Sequence, residues 1–212
     1  MRAREEIIKA ADRLFGEDGF ELTSTRRIAE LSGVNKALIH YHFKNKEALF
    51  ESVLDRYYQR LNAVLLQALA PEGDLRARLH RLIDAYLTFL SENLNFSRIV
   101  QRESAGGRHL LRIRDHLGPT FSTAMELISR EYPAARNGEL AAYQLLVSFY
   151  GMIVGYFTFS EMVSRLTGRD PLSKKELNLR RRHLDYMADL VIDALASKPR
   201  PRKPAKAKRG RT

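Results

Sequence analysis

Residues 23–50 read TSTRRIAELSGVNKALIHYHFKNKEALF, a capped helix, a glycine turn and a second short helix in succession. Thr23 or Ser24 supplies a hydroxyl N-cap for a helix over Thr25–Ser32. Gly33 follows directly, which suits the left-handed backbone of a helix C′ position. Val34 and Asn35 complete a tight turn, and Lys36 opens a second short helix. A helix, a glycine turn and a helix form a helix-turn-helix. Its second helix enters the major groove, so the stretch predicts sequence-specific binding to double-stranded DNA.

The second helix has a definite inner and outer side. Residues on a helix advance about 100° each. Ile39 and Phe43, four apart, share one face and are expected to pack inward with Val34. The opposite face carries Ala37, Leu38 and Tyr41, flanked by His40 and Lys44, with Lys36 and His42 at its margins. Small side chains at the start and hydrogen-bonding aromatics beyond suit close approach to base edges and phosphates. Lys36, Ala37, Leu38 and Tyr41 are thus candidates to face bases, and His40 and His42 to hold the backbone. The alternative, a short solvated helix with accidental polar residues, leaves the glycine turn and the capped helix that follows unexplained.

The segment resembles the N-terminal domain of the TetR family of bacterial transcriptional regulators. The resemblance rests on Gly19-Phe20, Thr25-Arg26, Ile28-Ala29, Gly33-Val34, His42-Phe43, Lys46-Glu47 and Leu49, in this order and spacing across residues 5–50. It departs at His40, where the family usually has a phosphate-touching Tyr. It implies an all-α protein in which a three-helix helix-turn-helix domain (1–45) precedes a helical ligand-binding and dimerisation domain (46–197). It also implies that Thr25, Arg26 and Lys46 meet phosphates. A homodimer would read an inverted-repeat operator, as a repressor released by a small-molecule ligand. The last two helices of each subunit would build a four-helix interface.

The rest of the chain reads as helices. Ile7, Ala11, Leu14 and Phe15 make an apolar stripe on a helix over 3–17, expected to pack on Ile28, Leu31 and Phe43. Asn45 caps a long helix to about residue 70, and Asp74 caps another over 75–93. A short helix near 95–104 ends at Gly106-Gly107. Gly118-Pro119 is expected to split 108–131 into two helices, because proline removes a hydrogen bond and clashes with the preceding turn. A helix is predicted over 138–166, and the capping box Ser173–Glu176 starts a last one to about 197. The tail KPRPRKPAKAKRGRT (198–212) lacks large apolar residues and is expected to be disordered.

Residues 140–160 form an uncharged run long enough to cross a bilayer. Its Gln144, Ser148, Thr158 and three tyrosines favour instead a helix buried on both faces, one of them against a second copy of the chain. Gly151 and Gly155 would let the backbones approach closely, and no membrane association is expected. Tyr86, Phe89, Phe96, Phe121, Met125, Phe149, Met152 and Tyr156 are either ordinary core or the walls of an effector pocket; the residues alone leave both open.

The chain has 212 residues and no cysteine, so it has no disulfide framework or thiolate site. The N-terminus MRAREEIIKAADRLF has no apolar signal core, which fits a cytoplasmic protein. Of the formal charge of +11, eight positive charges lie in 198–212, which leaves +3 for the remainder. Residues 1–50 hold nine basic and eight acidic residues, so attraction to DNA must come from where charge sits and from the tail. No HExxH, GxSxG or phosphate loop occurs, so no enzyme, metal site or cofactor is expected, His109 and His116 being too loosely paired. The competing reading is a non-specific architectural DNA binder, which explains the basic tail but not the recognition helix.

Overall fold

Why Arg2–Asp18 fold as a helix is legible in their burial: Ile7, Ile8, Ala10, Ala11, Leu14 and Phe15 are all buried, more than one stripe's worth for a seventeen-residue helix. At about 100° per residue these six span roughly 160°, wider than a single apolar stripe, and such a face must be covered by more than one neighbour. A computed structural model describes residues 2–104 and 110–197, the side chains of 103–113 apart. The expected break at Gly106-Gly107, His109 and the tail 198–212 lie outside the described residues. Those described form α1 (Arg2–Asp18), α2 (Thr25–Ser32), α3 (Lys36–Phe43), α4 (Lys46–Ala68), α5 (Leu75–Glu92), α6 (Leu94–Ser104), α7 (Leu110–Glu131), α8 (Ala142–Thr158), α9 (Ser160–Thr167) and α10 (Lys174–Ser197), with a 3-10 turn at Pro133–Arg136. The fold is all-α, as expected.

α1 is covered by α2 and α3 on one side and by α4 and α6 on the other. α7 lies along α4, α10 along α5, and α8 packs on α5, α6 and α7. One apolar core runs from Ile7 through Phe43, Leu54, Phe96 and Ile153 to Ala188. The helix-turn-helix is therefore welded to the helices behind it. Polar side chains complete the weld. Asp12 accepts from the Tyr57 hydroxyl at 2.7 Å and from the Asn95 amide at 3.2 Å, which ties α1, α4 and α6. Burial, with Asp12 beside it, pushes the Tyr57 phenol up and keeps it a donor. The Arg102 guanidinium donates to the carbonyls of Phe15, Gly16 and Glu17, and so caps the C-terminal end of α1. The end of α4 is closed in the same way, by Arg78 on Leu69 and by Arg81 on Ala68, Ala70 and Glu72.

Three expectations need correction. First, 110–131 is one helix, with Pro119 inside it. Leu117, Thr120, Ala124 and Ile128 are buried at helical spacing and hold the helix together across the proline. The Thr120 hydroxyl donates to Asn62 on α4. The carbonyl that Pro119 leaves without a donor belongs to Asp115, which is exposed and open to water. Second, the helix expected over 138–166 starts at Ala142 and is bent by 64° after Thr158, giving α8 and α9. Side chains take carbonyls at the bend: Gln101 donates to Thr158 at 3.0 Å and the Ser160 hydroxyl to Phe157 at 2.9 Å. No single described helix is long and apolar enough to cross a membrane, although α8 and α9 together match such a span in length and composition. Third, Leu31 is 45% exposed and takes no part in the core.

Two variants test this account. A Cβ at Gly16 would sit 2.8 Å from both Cβ and Cγ of Asn95. Gly16→Ala should therefore destabilise the protein by about 1–2 kcal/mol in denaturant unfolding, since overpacking outweighs the gain in helix propensity. Pro119→Ala restores a helical N–H and should stabilise by about 1–2 kcal/mol, the regained hydrogen bond exceeding the loss of proline's rigidity.

Candidate nucleic-acid interface and effector cavity

Local signals build the helix-turn-helix. Ser24 is the N-cap of α2, its hydroxyl accepting from the Arg27 amide at 3.2 Å. Gly33 has φ 67 and closes α2, with the Val34 amide donating to Ala29. Asn35 caps α3 by accepting from the Ala37 amide at 2.9 Å. Ile39 is fully buried and Phe43 nearly so, while Val34 packs against the same core. Burying two such side chains contributes about 1.5–3 kcal/mol each. That settles which face of α3 turns outward, because rotating the helix would expose both.

The outward face is the expected one. Tyr41 is 80% exposed, and Lys36, Ala37, Leu38 and His40 are exposed beside it. His42 is half-buried, edge-on to Tyr41 and to Phe43. Thr25 and Arg26 sit in the first turn of α2, and Arg26 pairs with Glu30 at 2.9 Å. Two residues differ from a simple phosphate-contact picture. Lys46 is half-buried; its ammonium donates to the Phe20 carbonyl at 2.9 Å and lies 4.2 Å from the Phe20 ring centroid. It thus tethers α4 to the α1–α2 loop. The His40 ring turns back to the end of its own helix, Nδ1 lying 3.1 Å from the Lys44 carbonyl oxygen.

Behind α4 the structure holds a cavity of about 90 Å³ between α4, α5, α7, α8 and α10. Of the eight candidate pocket residues, Tyr86, Phe121 and Phe149 line it. The other five do not. Phe96 stacks on Tyr57 at 4.8 Å and meets Tyr58 and Phe89 edge-on, so Phe89 and Phe96 are core of the α4–α5–α6 junction. Met125 packs in a small cluster around Ile128 and Leu195, and Met152 lies against the main core. Tyr156 donates to the Pro171 carbonyl at 2.8 Å under the Arg180 guanidinium. The sequence reading missed Leu65, Ile83, Leu145, Tyr150, Ile153 and Ile192 among the lining residues. Leu146, Phe149, Tyr150 and Ile153 follow helical spacing, a signal present in the uncharged run.

The cavity wall is apolar but for its phenols. Burial raises the Tyr86 phenol well above its ordinary range and raises Tyr150 too, the two rings lying 6.2 Å apart between centroids. Both therefore stay neutral at physiological pH. Among the described residues, no group of three or more His, Cys, Asp or Glu could hold a metal ion.

Residues 7–53 match the family model described as bacterial regulatory proteins, tetR family. Along the sequence the chain resembles the HTH-type transcriptional activator FasR of Mycolicibacterium smegmatis, 29% identical over 46% of this chain and 44% of that protein. It also resembles an HTH-type transcriptional repressor of Mycobacterium tuberculosis, 29% identical over 82% of this chain and 81% of that protein. The chain spans about half the length of the first curated relatives it matches, 44% and 55%. In fold it is similar to the fatty acid degradation regulator FadR from Bacillus halodurans, with TM-score 0.65, 20% identity and coverage of 94% of this chain and 97% of that one. The hemolysin II transcriptional regulator HlyIIR is similar too, with TM-score 0.64, 21% identity and coverage of 93% and 100%. Helix order, the glycine turn and the motif residues agree with these likenesses: residues 7–53 carry the N-terminal domain of the bacterial regulatory proteins of the tetR family.

Proposed function

We propose that this protein is a homodimeric, sequence-specific DNA-binding regulator of transcription, acting in the cytoplasm as a repressor that a small molecule releases from an inverted-repeat operator. The observation that carries the reading is the outward face of α3, where Tyr41 stands 80% exposed while Ile39 and Phe43 anchor the helix from behind. Lys36, Ala37, Leu38 and Tyr41 face the bases. Thr25, Arg26, His40 and His42 lie around them, toward the phosphates, and Lys46 reaches a phosphate only by giving up its bond to Phe20. Residues 1–45 form the DNA-reading part and 46–197 the effector and dimer part, although a single core joins them.

Dimerisation rests on α8 and α10, the two helices that the resemblance assigns to the interface. Tyr143 and Val147 on α8 and Leu179, Tyr186 and Leu190 on α10 are exposed, far from the helix-turn-helix in the chain. Gly151 has open space where a side chain would stand, so a second backbone can come close. Two copies of α3 related by a two-fold axis would read half-sites one or more helical turns apart, roughly 34–36 Å per turn.

The effector reading rests on the cavity. Its chemistry suits a largely apolar molecule with one hydrogen-bonding group for Tyr86 or Tyr150. At about 90 Å³ it is far smaller than the 300–1,000 Å³ of pockets that enclose drug-sized ligands, so an effector of that size must open it. Opening it displaces α4, which also carries the tether to Phe20 and the polar link to α1. An effector that prefers the opened form by a few kcal/mol would switch operator occupancy.

Selection of duplexes from a random library by the purified protein tests the DNA reading. A shared inverted repeat is expected, and recovery of unrelated sequences with equal affinity favours the architectural alternative. On the selected duplex, Tyr41→Ala should weaken binding by roughly 10–100-fold with an unchanged circular dichroism spectrum. Sedimentation tests the interface. Val147→Asp combined with Leu190→Asp should convert a micromolar dimer into a monomer, and a dimer that survives both charges removes α8 and α10 from the contact.

A further inference from the structure

Lys44 is the only non-glycine residue with positive φ among those described, at φ 64 and ψ −54. This is not the left-handed helical well that closes many helices. The Asn45 amide donates to the Phe43 carbonyl at 2.7 Å, two residues back, which makes Phe43–Lys44–Asn45 a γ-turn of the rare, strained hand. The turn is pinned from both sides. The Lys44 amide donates to the His40 carbonyl at 2.9 Å. The His40 ring returns to the Lys44 carbonyl oxygen; that oxygen only accepts, so Nδ1 carries the proton. Asn45 then caps α4, its side chain accepting from the Ala48 amide at 2.8 Å.

Glycine would adopt this conformation without a Cβ penalty, so the turn alone does not account for lysine. Strain of this kind persists where surrounding structure over-determines it, and it clusters at functional sites. The Lys44 side chain is exposed, and its ammonium has no hydrogen-bond or ion-pair partner among the described residues. Lys46, two residues on, spends its ammonium on Phe20. Lys36 and Lys44 stand at the two ends of α3, about 12 Å apart at 1.5 Å per residue. The major groove is itself about 12 Å wide, with phosphates on both walls. We propose that Lys44 is a further DNA-contacting residue whose ammonium the strained γ-turn at the end of α3 places on a backbone phosphate.

The proposal rests on the DNA-binding reading above, and the test separates the two. The slope of log affinity against log salt is measured for the wild type, Lys44→Ala, Lys44→Gly and Lys44→Arg. The probes are a duplex that the wild type selects from a random library and a random duplex. Each phosphate contact contributes about 0.9 to the slope, so a symmetric dimer should lose about 1.8 in Lys44→Ala and Lys44→Gly. Raising salt fourfold then costs the wild type about twelvefold more affinity than it costs either variant. Lys44→Arg should keep the slope. In thermal unfolding Lys44→Gly should melt about 2–4 °C above Lys44→Ala, because only glycine relieves the turn. Unchanged slopes in both the Ala and Gly variants would overturn the contact, and leave Lys44 a favourable charge at the C-terminal end of α3. A Gly variant no more stable than the Ala variant would overturn the strained turn. Failure of the wild type to select any sequence would sink the regulator reading alone, since the random duplex still reports the slopes.

Discussion

Everything that positions the outward face of α3 depends on the close approach of α1 to α6. Gly16 makes it possible, because any Cβ there would stand inside contact distance of Asn95. The approach brings the Asn95 amide to Asp12 and the Arg102 guanidinium to the last carbonyls of α1. α1 also packs against α2 and α3, and its Ile7, Leu14 and Phe15 are buried in the common core. The outward face of α3 is thus referred, through one helix, to a seam with α6. In most of the interior apolar contacts dominate, and these tolerate small slides. At this seam hydrogen bonds from Asn95 and Arg102 set the register, because each lost partner would leave a partly buried polar group without one.

The same α6 also faces the other way. Gln101, next to Arg102, donates to the Thr158 carbonyl at the bend between α8 and α9. α8 contributes Phe149, Tyr150 and Ile153 to the cavity wall. Adjacent residues of one helix therefore hold the end of α1 and the end of α8. This continuity identifies α6 as the element whose displacement both the cavity and the helix-turn-helix would register.

What was legible in the sequence divides by the range of the interaction that decides it. Ser24, Asn35, Asn45, Asp74 and Ser173 cap helices within three residues of themselves, and the starts of α2, α3, α4, α5 and α10 follow from them. The inward pair Ile39 and Phe43 is equally local, since helical periodicity alone places both on one face. Reading failed where a distant partner overrode a local signal. Pro119 argues for a break, yet Leu117 and Thr120 are buried, and Asp115, whose carbonyl loses its donor, is an exposed residue. The uncharged run 140–160 argues for one long helix, yet Gln101, some sixty residues earlier, meets the carbonyl at its bend. Composition could not sort aromatic core from aromatic lining. Phe96 and Phe149 are chemically alike, and only the packing of Tyr57 and Tyr58 onto Phe96 places it elsewhere.

The charge of residues 1–50, nearly balanced in total, illustrates why a sum says little about a surface. The acids of α1 and α2 are largely engaged with neighbours: Glu6 with Lys9, Glu17 with Arg13, Asp18 with Arg27, Glu30 with Arg26, and Glu5 with Arg56 of α4. Asp12 lies inside the α1–α4–α6 seam. Residues 35–46, by contrast, hold Lys36, Lys44 and Lys46 and no acid. Exposed charges are screened beyond about 8–10 Å at physiological salt, so the field a phosphate meets is set by the nearest groups and not by the domain total. On α3 and its flanks the formal charges are Lys36, Lys44 and Lys46. The chain thus combines a helical segment that is nearly neutral in total with a short cationic stretch at its surface, the element proposed above to enter the groove. Most of the formal surplus, eight of eleven positive charges, lies in residues 198–212.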